Sequence, residues 1–173
     1  MRCQYCGGSF ESRVVPYKTT YDLDKLRSLM RSDPEPTVIF YGGEPLLNPG
    51  FIMRAMDSLP AARWGIQTNG FFVDLLPDRY WERMSVALLS IDGRREVTDA
   101  NRGRGVYDRV SQSLNKLRRF RLKTIARMAV TSLTDIYVDV NHLFELGFDQ
   151  VHWQLDVIWG RKWDVWGWAS ANY

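Results

Sequence analysis

The chain has 173 residues, of which 45% are hydrophobic, so it can build the core of one globular domain. A net charge of +3 is too small to predict a nucleic-acid partner, and two cysteines exclude a disulfide framework. No signal segment opens the sequence, and no apolar run approaches the ~20 residues of a membrane span. These features favour a cytoplasmic protein without a membrane partner.

Strand and helix patterns alternate along the chain, which predicts an α/β fold with a parallel sheet. The first helix carries Leu23, Leu26 and Met30 on one face. Thr20 or Asp22 could cap that helix. Five strands are predicted, over residues 38–41, 64–68, 86–91, 124–131 and 151–155.

Further helices are predicted between the strands. Asn48 before Pro49 predicts a helix start. Thr134 is predicted to cap the last of these helices and Gly147 to end it. An arginine- and glycine-rich loop is predicted over residues 102–105. Apolar rows mark two other helices: Tyr80, Trp81 and Met84 in one, and Val106, Val110, Leu114 and Leu117 in the other.

Polar residues and glycines follow most of the predicted strands at the point where each strand ends. Ordinary turn chemistry explains any one of them, but their shared position needs a further reason. Ligands of α/β proteins bind at the carboxyl ends of parallel strands, so the pattern predicts a binding site at this edge of the sheet. The strand-end residues are Gly42, Gly43, Glu44, Thr68, Asn69, Gly70, Ser90, Asp92, Gly93 and Gln154.

Cys3 and Cys6 are the only cysteines, and two residues separate them. On spacing alone they are a redox dithiol, half of a metal site, or no site at all. The only histidines are His142 and His152, so no second Cys-x-x-Cys and no Cys–His pair completes a zinc tetrahedron. Glycines at positions 7 and 8 favour a loop around a ligand over a dithiol that opens a helix.

The cysteine pair around Tyr5, followed by a strand that ends in Gly42-Gly43-Glu44-Pro45, resembles the radical S-adenosylmethionine superfamily. Its members carry C-x-x-x-C-x-x-C, three thiolates on a [4Fe-4S] cluster, and fold as a partial (β/α)6 barrel of parallel strands. The resemblance implies that Cys3 and Cys6 are the last two cluster ligands. The first ligand and the first barrel strand would then lie upstream of Met1, so we expect the natural protein to begin earlier.

The resemblance also implies roles in binding S-adenosylmethionine (AdoMet). Glu44 and the glycines before it would meet the ammonium group, because a cation needs acceptors. Arg102 would bind the carboxylate, with Arg104 as the alternative, and Asp92 could lie nearer the substrate. The implied set is Tyr5, Gly42, Gly43, Glu44, Pro45, Thr68, Asn69, Ser90, Asp92, Arg102 and Gln154.

The implied activity is reductive cleavage of AdoMet at the cluster, which gives a 5'-deoxyadenosyl radical, with ferredoxin or flavodoxin as electron donor. The run from Cys3 to Tyr173 most resembles the peptide- and protein-modifying branch of the superfamily, in particular an archaeal group. A peptide or protein substrate is therefore expected. Two alternatives stay open: an enzyme acting on a small molecule or RNA base, and an inactive α/β domain that cannot hold a cluster on two thiolates.

Residues 1–155 are expected to form the radical enzyme core, and residues 156–173 the start of a C-terminal region that continues beyond the chain. The second segment is crowded with aromatic residues, which predicts a packing surface. No cysteine follows Cys6, so an auxiliary cluster is not expected within this chain. The aromatic residues of the tail are Trp159, Trp163, Trp166, Trp168 and Tyr173.

Overall fold

The structure is a computed structural model that describes residues 3–6, 13–14, 19, 21–156 and 163–172. Its centre is a five-stranded parallel sheet in which the strands follow one another in chain order. Within the described residues the sheet stays open, with β1 and β5 at its edges. The expected α/β architecture of parallel strands is confirmed. The strands are β1 (Thr37–Phe40), β2 (Arg63–Thr68), β3 (Val86–Ser90), β4 (Lys123–Val130) and β5 (Gln150–Leu155).

Helices connect the strands and pack against one face of the sheet. Short 3₁₀ turns at Pro45–Leu47 and Val73–Leu75 follow β1 and β2. No helix of the described residues is long and apolar enough to cross a membrane. The helices are α1 (Leu23–Met30), α2 (Pro49–Ser58), α3 (Asp78–Trp81), α4 (Arg95–Arg102), α5 (Val106–Leu117), α6 (Ile136–Leu146) and α7 (Val165–Ala171).

Side-chain caps start the first two long helices where the sequence predicted them. The Asp22 carboxylate accepts the backbone N–H of Asp24 at 2.9 Å and caps α1, whereas the alternative cap, Thr20, lies outside the described residues. Asn48 caps α2 by accepting from the backbone of Phe51. Each cap satisfies an N–H that has no partner inside the helix.

The predicted cap of α6 was wrong by one residue. Asp135 caps this helix by accepting the N–H of Val138 at 3.0 Å. The hydroxyl of Thr134 instead accepts the N–H of Thr131 at 3.0 Å and closes the turn that follows β4. Both residue types can cap, so only the backbone conformation decides between neighbours. Gly147 ends α6 in the left-handed conformation, as predicted.

Helix α4 was missed by the sequence patterns, which left its residues unassigned before the loop at 102–105. Its eight residues are mostly polar, and Val97 is the only apolar side chain that it buries. Thr98 and Asn101 fill the rest of its inner face. A helix with so few apolar residues gives almost no periodic signal.

The sheet has one covered and one open face, and burial alternates along each strand accordingly. On β4, Thr124, Ala126, Met128 and Val130 are buried under the helices, whereas the side chains between them are partly exposed. We call the face of the sheet opposite the helices the open face. From the parallel register it comprises Ile39, Gln67, Leu88, Ser90, Ile125, Arg127, Ala129, His152 and Gln154.

The aromatic tail returns to the body of the domain through α7. The indole N–H of Trp168 donates to the carbonyl of Thr134, next to the start of α6, and the rings of Trp163 and Trp168 meet edge to face. Trp166 remains 85% exposed. Trp159 and Tyr173 lie outside the described residues. The division at residue 155 stays a prediction.

Candidate functional site

The turn after β1, residues 42–45, places the Glu44 carboxylate between the ends of β1 and β2. We call this turn the glycine corner. Glu44 caps the short helix that begins at Pro45, with its Oε1 atom accepting the N–H of Leu46 at 3.1 Å. The same oxygen accepts the Thr68 hydroxyl at 2.8 Å, and Oε2 accepts the backbone N–H of Asn69 at 2.8 Å. All three donors are electrically neutral. The carboxylate therefore joins the ends of β1 and β2 while keeping its charge uncompensated by these contacts.

The backbone before Glu44 faces open space. A side chain built at Gly42 or Gly43 would meet no atom within 4 Å. Gly42 has φ +152°, a conformation that other residues rarely adopt, so a side chain is excluded there by the backbone and not by crowding. The space beside this backbone is thus open to a ligand, as the predicted binding of an ammonium group requires.

A second carboxylate, Asp92, lies just beyond the end of β3 and is completely buried. The Arg102 guanidinium binds it through two hydrogen bonds of 2.7 and 2.9 Å. The Tyr5 hydroxyl donates to Oδ2 at 2.7 Å, and the backbone N–H of Ala129 donates to Oδ1 at 2.9 Å. The N–H of Asp92 itself donates to Thr98. Four donors therefore saturate this carboxylate, which is what a buried charge needs.

Residues 3–6, which we call the cysteine turn, are attached to the sheet through the hydrogen bonds of Asp92 and through α4. The N–H of Gln4 donates to the carbonyl of Asn101 at 2.9 Å, and the Gln4 side chain donates to the carbonyl of Ala100 at 2.8 Å. A hydrogen bond from the N–H of Cys6 to the carbonyl of Cys3 closes the turn. Both thiols are free, with Cys3 half-buried and Cys6 exposed. Helix α4, which the sequence patterns did not predict, therefore holds the cysteine turn in place through these hydrogen bonds.

Glu44 and Asp92 follow the ends of β1 and β3, which are separated in the sheet by β2. Thr68, which binds Glu44, pairs with Leu89 in the ladder between β2 and β3, and Asp92 follows three residues later. The cysteine turn and the glycine corner thus share the carboxyl edge of the sheet. That both face one common pocket stays a prediction.

Burial and the Asp92–Arg102 pair shift the pKa values of Cys3 and Tyr5. Burial raises the pKa of the Cys3 thiol above its ordinary value, with the Arg102 charge opposing the shift. Burial also raises the pKa of the Tyr5 hydroxyl, and the charge of Asp92 adds to this shift. Burial by itself would lower the pKa of Arg102, but Asp92 and Tyr5 outweigh it, so this pKa is raised. Tyr5 therefore stays a hydrogen-bond donor.

The remaining predicted residues differ in their surroundings. Ser90 ends β3 on the open face, half-buried. Gln154 is exposed on β5, where its side-chain oxygen accepts from Arg127 at 3.0 Å. Arg102 is only 8% exposed and is engaged by Asp92, whereas the alternative, Arg104, is exposed.

Sequence reasoning missed the residues that share the open face with Gln154. Arg127 donates to the ring nitrogen Nδ1 of His152 at 2.6 Å. A signal was present in β5, because Gln150, His152 and Gln154 alternate with apolar residues where a fully buried parallel strand is apolar throughout. That alternation indicates a strand with one uncovered face.

The donor set of the cysteine turn fits part of an iron–sulfur cluster. Cys3 and Cys6 supply two soft sulfur ligands at a spacing that such clusters use. The described residues contain no group of three or more potential metal ligands among their His, Cys, Asp and Glu side chains. The glycines at positions 7 and 8, expected to wrap the ligand, lie outside the described residues, as does Met1.

Comparison with known proteins identifies the family. The sequence profile of the Radical SAM superfamily matches residues 1–146. The chain therefore belongs to the Radical SAM superfamily, as its cysteine pair and glycine corner indicated.

The chain is similar to curated archaeal proteins whose names carry no function. It is 32% identical over 130 residues to an uncharacterized protein of Methanothermobacter thermautotrophicus, covering 70% of this chain and 49% of that protein. It is 30% identical over 116 residues to an uncharacterized protein of Archaeoglobus fulgidus, covering 65% of this chain and 28% of that protein. The matched region is about half or less of each relative's length.

Solved structures share the fold. The chain superposes on native anSMEcpe with bound AdoMet and Kp18Cys peptide with a TM-score of 0.72 at 22% identity, covering 91% of this chain and 48% of that one. Native anSMEcpe with bound AdoMet gives a TM-score of 0.70 at 21% identity, covering 90% and 48%. At these identities the likeness is one of fold.

Proposed function

We propose that this chain is the core of a radical enzyme that binds AdoMet at the carboxyl edge of its sheet and modifies a peptide or protein. Cys3 and Cys6 would hold a [4Fe-4S] cluster together with a further ligand, and a ferredoxin or flavodoxin would supply electrons. When bound, the reduced cluster supplies one electron that breaks a carbon–sulfur bond of AdoMet and gives a 5'-deoxyadenosyl radical.

The observation that carries the proposal is the uncompensated carboxylate of Glu44 beside the accessible glycine corner. An ammonium group is the partner that this corner lacks, because Glu44 receives only neutral donors from the described residues. No salt bridge joins Glu44 to a cationic side chain of the described residues. The methionine end of AdoMet supplies such a group.

The other residues would orient the cofactor and keep water away. Gly42 and Gly43 would offer carbonyl oxygens to the ammonium group, with Pro45 fixing the turn. Ser90 would line the methionine and ribose region with Thr68 and Asn69. Arg102 would act chiefly through Asp92 and Tyr5, holding the cysteine turn at the end of β3, because its guanidinium already has a buried partner. Gln154 would lie near the adenine.

The peptide substrate is supported by one solved relative of the same fold, which was determined with a bound peptide. The open face provides the surface on which a substrate could lie beside the cofactor. An RNA base or a small molecule as substrate would contradict this part of the proposal without affecting AdoMet cleavage.

Anaerobic reconstitution with iron and sulfide, of a protein that includes the further cluster ligand, tests the function. We expect the visible absorbance of an iron–sulfur cluster, and 5'-deoxyadenosine after addition of AdoMet and a chemical reductant. Cys3→Ala and Cys6→Ala should each abolish both signals, because each removes a sulfur ligand. The variant Arg104→Gln, at an exposed loop position, is the control and should retain cluster loading.

Two results would contradict the proposal. Cluster loading that survives both cysteine substitutions would exclude these thiols as ligands. A folded, cluster-loaded protein that gives no 5'-deoxyadenosine would exclude the enzyme activity.

A further inference from the structure

Three polar side chains of β4 and β5 form a cluster on the open face. Arg127 on β4 donates from Nη1 to Nδ1 of His152 at 2.6 Å and from Nη2 to Oε1 of Gln154 at 3.0 Å. His152 and Gln154 lie two residues apart on the neighbouring strand β5, so both point to the same face. We call these three residues the Arg127 cluster. Its geometry is fixed by two strands of the sheet and not by a loop.

The Arg127 cluster carries a positive charge that no salt bridge within the described part of the chain neutralises. Arg94, Arg95 and Arg102 each form a salt bridge with an aspartate, but no carboxylate of the described residues forms one with Arg127. Both neighbours of Arg127 are uncharged acceptors, which orient the guanidinium without cancelling its charge. A fixed and uncompensated guanidinium is suited to binding an anion.

The cluster also presents donors and not acceptors to a ligand. Arginine can only donate, so Nδ1 of His152 must accept from it, and the ring proton of the neutral imidazole then lies on Nε2. Two of the five N–H groups of Arg127 are used by its neighbours, and the others meet no acceptor among the described residues. The remaining N–H groups of Arg127 and the Nε2–H of His152 are thus available to oxygen atoms.

A cavity adjoins the cluster. Its volume is 350 Å³, and it is lined by Leu88, Ile125, Phe144, Asp149, Gln150, Val151 and His152. Leu88 and Ile125 are paired across β3 and β4, so they form a continuous apolar surface. A cavity of this volume suits a small group and is at the lower end of the range for ligand sites. The apolar part of the wall, next to the donors of the cluster, fits a carboxylate carried on an aliphatic stem, and the Asp149 carboxylate is already bound by the N–H and the hydroxyl of Thr124.

The Arg127 cluster adjoins the proposed AdoMet site on the open face. Arg127 pairs with Ser90, the last residue of β3, and Gln154 lies one residue before the end of β5. His152 lies two residues earlier on β5 and also lines the cavity, which continues to Ile125 and Gln150. A group held by Arg127 and His152 would therefore lie between the cofactor and this cavity.

We propose that the Arg127 cluster binds a carboxylate of the substrate and so selects acidic peptides. This inference rests on the proposed function, because it names the substrate class of the same site. Arg127 is the main anion-binding residue, His152 donates a second hydrogen bond, and Gln154 orients the guanidinium.

Binding of labelled peptides tests the inference without any need for catalysis. The probes are a fluorescein-labelled oligoglutamate peptide, the matching oligoglutamine peptide and an oligouridylate, each followed by fluorescence anisotropy. We expect the oligoglutamate to bind and Arg127→Gln to weaken it roughly 10- to 100-fold, since hydrogen bonds to charged groups are lost. Arg127→Lys keeps the charge but not the paired donors, so its affinity for oligoglutamate should lie between those of the unsubstituted protein and of Arg127→Gln.

Lys123→Gln is the matched control, because it removes the same charge four residues earlier on the same strand and face. It should change oligoglutamate binding less than threefold, as expected of a distant surface charge. Thermal unfolding of each variant confirms that it is folded, and His152→Gln provides a second variant that leaves Arg127 in place. We expect it to weaken oligoglutamate binding as well, because Nε2–H is one of the donors.

Several outcomes would overturn the inference. Equal weakening by Arg127→Gln and Lys123→Gln would show general charge attraction, and stronger binding of oligouridylate would indicate a nucleic-acid surface. No preference for oligoglutamate over oligoglutamine would exclude a carboxylate subsite. Loss of AdoMet binding in Arg127→Gln would assign this arginine to the cofactor. None of these readings depends on 5'-deoxyadenosine formation, so failure here is distinguishable from failure of the proposed function.

Discussion

Two carboxylates at the same edge of the sheet differ in how their charges are balanced. Asp92 is fully buried and bound by the Arg102 guanidinium, the Tyr5 hydroxyl and a backbone N–H. Glu44 is half-buried and receives three neutral donors. Among the described residues, a cationic side chain therefore compensates the charge of Asp92 and none compensates that of Glu44. We propose that these two residues, which look alike at strand ends in sequence, have different uses, Asp92 in holding the cysteine turn and Glu44 in binding a ligand.

The largest effect on stability is expected when Asp92 loses the Arg102 guanidinium. Arg102→Leu should lower the free energy of unfolding by about 3–5 kcal/mol, because it leaves the charge of Asp92 buried and unpaired. Urea denaturation measures this loss. Adding Asp92→Asn to this variant should recover part of it, because the unpaired charge is removed.

Arg63→Leu is the control for Arg102→Leu. Arg63 pairs with Glu35 on the surface, where its side chain is 59% exposed, so its loss should cost at most about 1 kcal/mol. Equal effects of the two substitutions would mean that the Asp92–Arg102 pair has no special structural role.

Substitution of Glu44, unlike that of Arg102, should affect AdoMet binding more than the stability of the fold. Glu44→Gln removes the charge but keeps one oxygen acceptor, so we expect stability to fall by only about 1 kcal/mol. AdoMet binding should weaken roughly 10- to 100-fold, which isothermal titration calorimetry measures, because an ammonium group loses its only charged partner.

Glu35→Gln provides the matched control for Glu44→Gln. Glu35 precedes β1 at the opposite edge of the sheet and has a side chain that is 69% exposed. Its substitution should leave AdoMet affinity unchanged. If Glu44→Gln also binds AdoMet with unchanged affinity, the assignment of this carboxylate to the ammonium group is wrong.

The sequence revealed the strands and the strand-end residues but not the partners of those residues. Alternation and glycine punctuation are local patterns, so all five strands were found within a residue or two at each end. The partner of Arg102 was not predictable in this way, since it depends on how α4 turns back across the end of β3. Helix α4 itself was missed because it buries so few apolar side chains.

The open face was also beyond local reasoning, for a different physical reason. Whether a polar residue in a strand lies on an uncovered face depends on which side the helices pack, and that is a property of the whole sheet. Arg127 and His152 were therefore left out, while Gln154 was included only because it lies close to a strand end. The alternation of polar and apolar residues along β5 indicates two unlike faces, but it does not say which of them the helices cover.

The smallest effect on stability is expected when Asp92 loses the Tyr5 hydroxyl but keeps the Arg102 guanidinium. Tyr5→Phe removes the hydroxyl that donates to Asp92 at 2.7 Å but retains the ring that lies 5.4 Å from the Arg102 guanidinium carbon. We expect a loss of about 1 kcal/mol in urea denaturation, the usual net contribution of one hydrogen bond. The control is Tyr21→Phe at a tyrosine that is 78% exposed, which should change stability by less than ~0.5 kcal/mol. A loss from Tyr5→Phe as large as that from Arg102→Leu would mean that the tyrosine, and not the ion pair, stabilises the cysteine turn.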